Sequence, residues 1–299
     1  MSRPPTFTTP ACARSRTLRT ARGDFAVLDA RPGGGGRAAV PEPKGTAVLV
    51  PGFTGSKEDF IALLQPLTEA GYRVVSVDGR GQYESAGPDE PGAYEQPELA
   101  RDLLAQAAAV AGESGGGPVH LMGHSLGGLI SRAAVLMDAA PFRSLTLMSS
   151  GPAAVGPAQQ KRIHLLRDAL ANLPMAEVWE AIQALEPPAD AEEAAEPGSG
   201  ATQDRLRERW LRTHPLQLIT TGHRLTAEPD RVDELGAVRS LPKQVLSGER
   251  DDAWPVPLMD EMAVRLGALR TVIPGAEHSP NTDRPAETAA ALAAFWDRH

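Results

Sequence analysis

Along the chain, short apolar or β-branched runs alternate with longer stretches in which apolar residues recur every three or four positions. The runs TAVLVPG (46–52), YRVVSVDG (72–79), PVHLMG (118–123), SLTLMSS (144–150), KQVLSG (243–248) and LRTVIPG (269–275) are short and rich in β-branched or apolar residues. That is the pattern of strands covered on both faces, so they predict a parallel, doubly wound α/β sheet. Before them, TLRTARGDFAVLDA predicts an antiparallel hairpin with Gly23-Asp24 near its turn, and RPGGGGRAAVPEPKG a loop into the sheet.

The intervening helices have readable ends. Ser56 and Asp59 form a capping-box pattern opening a helix to about Ala70, with Gly71 as its stop. Leu99, Leu103, Leu104, Ala107 and Ala108 share one helical stripe, as do Leu129, Ile130, Ala133, Leu136 and Met137. PAETAAALAAFWDR predicts a last covering helix.

From 153 to 238 the alternation stops. Leu165, Leu166, Leu170, Val178, Trp179, Ile182 and Leu185 keep helical spacing with no strand-like run between them, which predicts a helical cap over one end of the sheet. Residues 186–204, rich in Pro, Ala, Glu and Gly, predict a mobile loop within it. The expected organisation is a partly disordered leader over 1–20 whose end enters a first strand, a core formed by 21–152 and 239–299, and the cap over 153–238.

Composition narrows the chemistry. A chain of 299 residues, 41% hydrophobic, can bury a large core. A net charge of −8 argues against nucleic acid as partner. No uninterrupted apolar run approaches a membrane span, and the N-terminal stretch lacks a secretory apolar block, so a cytoplasmic protein is expected. The single cysteine, Cys12, lies in the polar leader with no organised site around it. No phosphate loop or metal-ligand spacing occurs, so neither cofactor nor metal is expected.

Chemistry concentrates at GHSLGG (123–128), where a strand ends on Ser125 and a helix begins at once. So tight a turn strains the central residue, and its neighbours two positions away, Gly123 and Gly127, must lack side chains. The turn exposes the serine hydroxyl beside helix N-terminal amides. A nucleophilic serine needs a base, a carboxylate to orient that base, and donors for the developing oxyanion. Of the seven histidines, only His278, in VIPGAEHSPNTDRP, sits in a loop just past a core strand. The loop after KQVLSG offers Asp251, with Asp252 as the alternative. The amides of Phe53, in VPGFTGS, and Leu126 are the expected oxyanion-hole donors. His124, Trp179 and Trp210 are candidate substrate-binding residues.

With the order Ser125, Asp251, His278, and the segments GHSLGG, PGFTGS, VDGRGQYES, SGERDDAWP and GAEHSPNTDRPAE, the chain resembles the α/β-hydrolase fold superfamily from about residue 20 to 298. The resemblance implies a mostly parallel eight-stranded sheet with a helical lid inserted after strand 6. It departs from many relatives in carrying Pro51-Gly52 where they have His-Gly. In VDGRGQYES, Asp78 and Arg80 read as loop-holding ion-pair residues. The serine excludes members whose elbow nucleophile is aspartate, leaving acyl transfer. The expected activity is hydrolysis of a carboxylic ester of a small or medium apolar substrate. The alternatives are a thioesterase or acyltransferase on a carrier- or CoA-bound acyl group, and a non-catalytic binding protein of the same fold.

Overall fold

The computed structural model describes residues 2–33, 42–185 and 199–299. Eight strands form one sheet: β1 (Ala13–Thr20), β2 (Gly23–Ala30), β3 (Gly45–Val50), β4 (Tyr72–Val77), β5 (Val119–His124), β6 (Phe142–Met148), β7 (Lys243–Gly248) and β8 (Leu269–Ile273). Their spatial order is β1-β2-β4-β3-β5-β6-β7-β8. β1 and β2 form the expected antiparallel hairpin, β2 also pairs antiparallel with β4, and every later pairing is parallel. The mostly parallel eight-stranded sheet is therefore present. β1 begins at Ala13, so the last eight residues of the expected leader belong to the sheet, because Leu18 of that stretch packs into the core.

The apolar runs are explained by two covering layers. In β3, Val48 and Val50 join the core on one face, and Ala47 and Leu49 join the core on the other. The first face is covered by α2 (Gln96–Gly112), α3 (Leu126–Met137) and the later helix α9 (Val256–Leu266). The second is covered by α1 (Ile61–Glu69) and α10 (Pro285–Trp296). α1 starts later than the capping pattern suggests: Lys57–Phe60 is a 3₁₀ turn, with the Ser56 amide donating to the Asp59 carboxylate at 3.4 Å, and the α-helix begins at Ile61. Gly71, at φ 98°, ends it as expected.

Between β6 and β7 the described residues are helical: α4 (Pro157–Asn172), α5 (Met175–Leu185), α6 (Ser199–Arg212), α7 (Pro215–Ala227) and α8 (Val232–Ala237). The loop expected over 186–204 lies outside the described residues up to 198. From 199 onward it is instead the first part of α6, whose Leu206 and Trp210 bury against the rest of the insertion. Asp78 and Arg80 hold loops, as expected. Asp78 accepts from both the amide and the ammonium of Lys57, and Arg80 pairs with Asp102. Burial alone would lower the Lys57 ammonium pKa, but the carboxylates of Asp78 and Glu58 outweigh it and raise it.

The strand order reverses direction at β3: β4 lies on one side of it and β5 on the other. At such a switch point the connections leave the carboxyl ends of adjacent strands in opposite directions and open a crevice. The loops after β3 and β5 are those carrying Phe53 and Ser125.

Candidate active site

Ser125 follows β5 directly and has φ 54° and ψ −119°, a conformation that non-glycine residues adopt only under constraint. The constraint is visible on both sides. Its amide donates to the Met148 carbonyl at 2.9 Å, and its carbonyl accepts from Gly128 at 2.9 Å as α3 begins. A Cβ on Gly123 would collide with the Gly127 carbonyl, and one on Gly127 with the Val50 carbonyl. The glycines permit contact between strand, helix and neighbouring loop, and that contact fixes the serine.

The Ser125 hydroxyl lies 3.2 Å from Nε2 of His278, and Nδ1 of His278 lies 2.9 Å from Oδ2 of Asp251. The other Asp251 oxygen accepts from the amides of Ala253 at 2.8 Å and Trp254 at 3.0 Å. Burial alone would raise the Asp251 pKa. The His278 hydrogen bond and charge and those two amides override it, so the carboxyl falls below its ordinary value. Asp252, the alternative, points elsewhere: its side chain is 62% exposed and meets Gln159 and Arg162 of α4. Nitrogen and carboxylate atoms of Asp251, Asp252 and His278 come within 4.8 Å of one another, a spacing that could surround a cation. The inner members already satisfy one another, however, and the donor set is that of an acid–imidazole pair.

The amides of Phe53 and Leu126 have no acceptor among the described residues. Both belong to segments bordering Ser125: Gly52 packs against the serine Cβ, and Leu126 is the first residue of α3. The arrangement can offer two N–H groups to an oxygen that gains charge next to the serine.

Above these groups is a cavity of about 480 Å³. Its floor includes Ser125, His278, Gly52 and Phe53. Its upper wall comes from the insertion, through Ile163 and Leu166 of α4, Ile182 of α5, Trp210 of α6 and Leu225 of α7. The three candidate substrate contacts fare differently. Trp210 borders the cavity, with its indole N–H donating to the Met175 carbonyl at 2.7 Å. Trp179 does not; it is 5% exposed and packs inside the insertion with Leu170, Val178 and Leu218. His124 borders the floor, but its ring is committed to a hydrogen bond from Nε2 to the His278 carbonyl at 2.8 Å. Sequence reasoning missed the polar edge formed by Ser2, Gln159, Arg162 and Ser279. None of these carries a local signal, because each reaches the cavity through tertiary packing.

Among the described residues, two buried ion pairs join the insertion to the core. Arg209 of α6 meets Asp59 at 2.9 Å, and Glu228, just after α7, meets Arg132 of α3 at 2.7 Å. Asp59 also accepts from the Ser2 hydroxyl at 2.7 Å, and its carbonyl accepts from Asn281, three residues past His278. Burial raises the Asp59 carboxyl pKa against the pull of Arg209.

The elbow, the switch-point crevice and the sheet order define the class, and the sequence match agrees. The profile of the alpha/beta hydrolase family matches residues 47–291, and the chain belongs to that family. One relative is the proposed carbamate hydrolase RutD of Variovorax paradoxus (strain S110). It is 36% identical over 107 residues, and the match spans 36% of this chain and only 38% of that protein. Among solved structures, the chain is similar to a carboxylesterase of the ammonia-oxidizing thaumarchaeon Nitrososphaera gargenis, with TM-score 0.71 and 18% identity over 94% of this chain and 98% of that one. It is also similar to a thermophilic esterase from Thermogutta terrifontis with malate bound, with TM-score 0.69 and 22% identity over 96% of this chain and 99% of that one. Among the described residues, no helix is long and apolar enough to cross a membrane.

Proposed function

We propose that this chain is a serine hydrolase of carboxylic esters acting through an acyl-enzyme. The observation that carries the reading is the hydrogen-bonded series from Ser125 through His278 to Asp251, under a cavity whose upper wall is largely apolar. Neutral His278 takes the proton as the Ser125 hydroxyl attacks the carbonyl carbon. The Phe53 and Leu126 amides receive the charge on the carbonyl oxygen. Collapse of the tetrahedral intermediate breaks the bond to the leaving group, which takes the proton from His278. Water, deprotonated by the same imidazole, then releases the acid. Asp251 holds the Nδ1–H tautomer and favours the imidazolium that forms in each half-reaction.

In this reading the helical insertion is the cap that selects the acyl group. A cavity of about 480 Å³ is within the range of small-molecule sites, which suits a small or medium apolar acyl chain. The partial match to a proposed carbamate hydrolase brings carbamic esters into the same range of substrates. The test is a panel of p-nitrophenyl esters of graded acyl length, matched acyl thioesters and a carbamic ester. The expected outcome is turnover of short and medium esters with a maximum in kcat/KM at one length. Turnover confined to thioesters would move the assignment to a thioesterase, and no turnover of any member would contradict hydrolysis.

A further inference from the structure

His124 occupies the variable position of the elbow, and its surroundings set it apart from an ordinary core histidine. It is 3% exposed, and its Nε2 is 2.8 Å from the main-chain carbonyl of His278, a residue brought from the far end of the chain. A carbonyl only accepts, so Nε2 carries the proton and Nδ1 is the bare nitrogen. Nδ1 is buried with no hydrogen-bond partner among the described residues. It lies against Gly52, where an added Cβ would come within 3.4 Å of it and within 3.1 Å of the Ser125 Cβ. The two imidazole rings are 5.1 Å apart and tilted by 49°.

Resting on the assignment of Ser125 and His278 above, we propose that His124 is a positioning residue for the base. Its Nε2–H fixes the main chain of His278 at the height from which that imidazole reaches Ser125, and its ring spaces this loop from the Gly52 loop. One side chain on the elbow thereby ties together the three segments that must agree within a fraction of an ångström. The hydrogen-bonding edge points at the His278 loop, so the ring is not free to bind substrate through Nε2. Its neutrality follows from the same packing. A proton on Nδ1 would face glycine backbone with no acceptor. Burial, with the His278 ring beside it, pushes the His124 pKa down to about 4. The ionisable groups facing it are His278 from the loop after β8 and Asp251 from the loop after β7, while the loop after β3 presents Gly52.

The test pairs His124→Phe, which keeps a ring and loses the donor, with His124→Gln, which keeps an N–H near the same place. A misplaced catalytic group costs up to about 100-fold in rate. His124→Phe is therefore expected to lower kcat by about 10- to 100-fold with KM changed less than about threefold, and His124→Gln to recover most of that loss. Equal losses in both variants would reduce His124 to packing. A change in KM with kcat intact would return it to substrate contact. Either result overturns the proposal. A second readout does not need turnover: imidazole nitrogen NMR of the full chain should show His124 as the neutral Nε2–H tautomer down to about pH 5, and the His278 signals should shift in His124→Phe but not in His124→Gln. A charged or Nδ1-protonated His124 at pH 6 overturns the proposal. Failure of the hydrolase reading would look different, with no ester turned over while this tautomer and the His278 shift remain as stated.

Discussion

The sheet core and the helical insertion both face the cavity, but they are built on different principles. In the core, position follows from the backbone: strand ends, a strained elbow and glycine contacts deliver Ser125, Asp251 and His278 to one edge. In the insertion, position follows from side chains, through a small apolar cluster around Trp179 and Trp210 and buried ion pairs at two points of attachment. The difference suggests a division of labour. In the proposed reading, chemistry sits on the part whose geometry tolerates little change, and selection on the part that can be repacked without moving the reacting atoms.

The division can be broken most severely at the carboxylates. Asp251→Asn is expected to lower kcat by about 10⁴-fold with the fold intact, because the amide stabilises the wrong imidazole tautomer. Asp252→Asn, outside the series, should stay within about threefold of the parent. Comparable losses in kcat from both would erase the distinction drawn between them.

Attachment comes next. Arg209→Met leaves Asp59 buried without its cation, which typically costs about 3–5 kcal/mol. Denaturant unfolding should record that loss, and an unchanged midpoint would show that the insertion is not held there. Trp179→Ala should cost a similar amount, about 3–5 kcal/mol, while leaving the preference for acyl length unchanged.

The core also carries a pH dependence, through two buried histidines. Burial pushes both His120 and His124 down to about 4 from an ordinary 6.5. The unfolded chain then binds protons that the folded chain refuses, so stability is complete above about pH 6.5 and falls as pH drops toward about 4. The loss is at most about 3 kcal/mol per histidine. Urea midpoints measured from pH 7.5 to 4.5 should fall along this window in the parent and less steeply in His120→Phe; identical slopes would contradict it. The smallest effect is one of preference. Trp210→Phe, which enlarges the cavity and removes the bond to Met175, should shift kcat/KM toward longer acyl chains by about 10-fold. The same variant tested on acetate should change little.

How much of this was legible in the sequence follows the same boundary. The strands, the elbow and the loops holding Asp251 and His278 are local patterns, with an apolar run, a glycine and a polar residue just past a strand end. Local physics suffices to place such residues at a sheet edge. Asp251 and Asp252 are adjacent, and only the turn that aims the first at the imidazole and two amides separates them. Trp179 and Trp210 both lie on helices of the insertion, yet one fills the insertion and the other borders the cavity, because the rotation of each helix against its neighbours is a tertiary property. Ser2, Asp59 and Arg209 are distant in sequence and meet only when three segments pack, so no spacing announces them. β1 started before its expected boundary because its polar alternation resembles a solvated tail until it finds β2.

The central claim is that Ser125 is a nucleophile activated by His278, and covalent capture tests it most directly. Intact-mass spectrometry after treatment with a fluorophosphonate should show one adduct on the parent chain, mapped to the peptide containing Ser125. Ser125→Ala should gain no mass, and His278→Ala should react at least about 1,000-fold more slowly. An unmodified parent chain, or an adduct that persists in Ser125→Ala, would contradict the account.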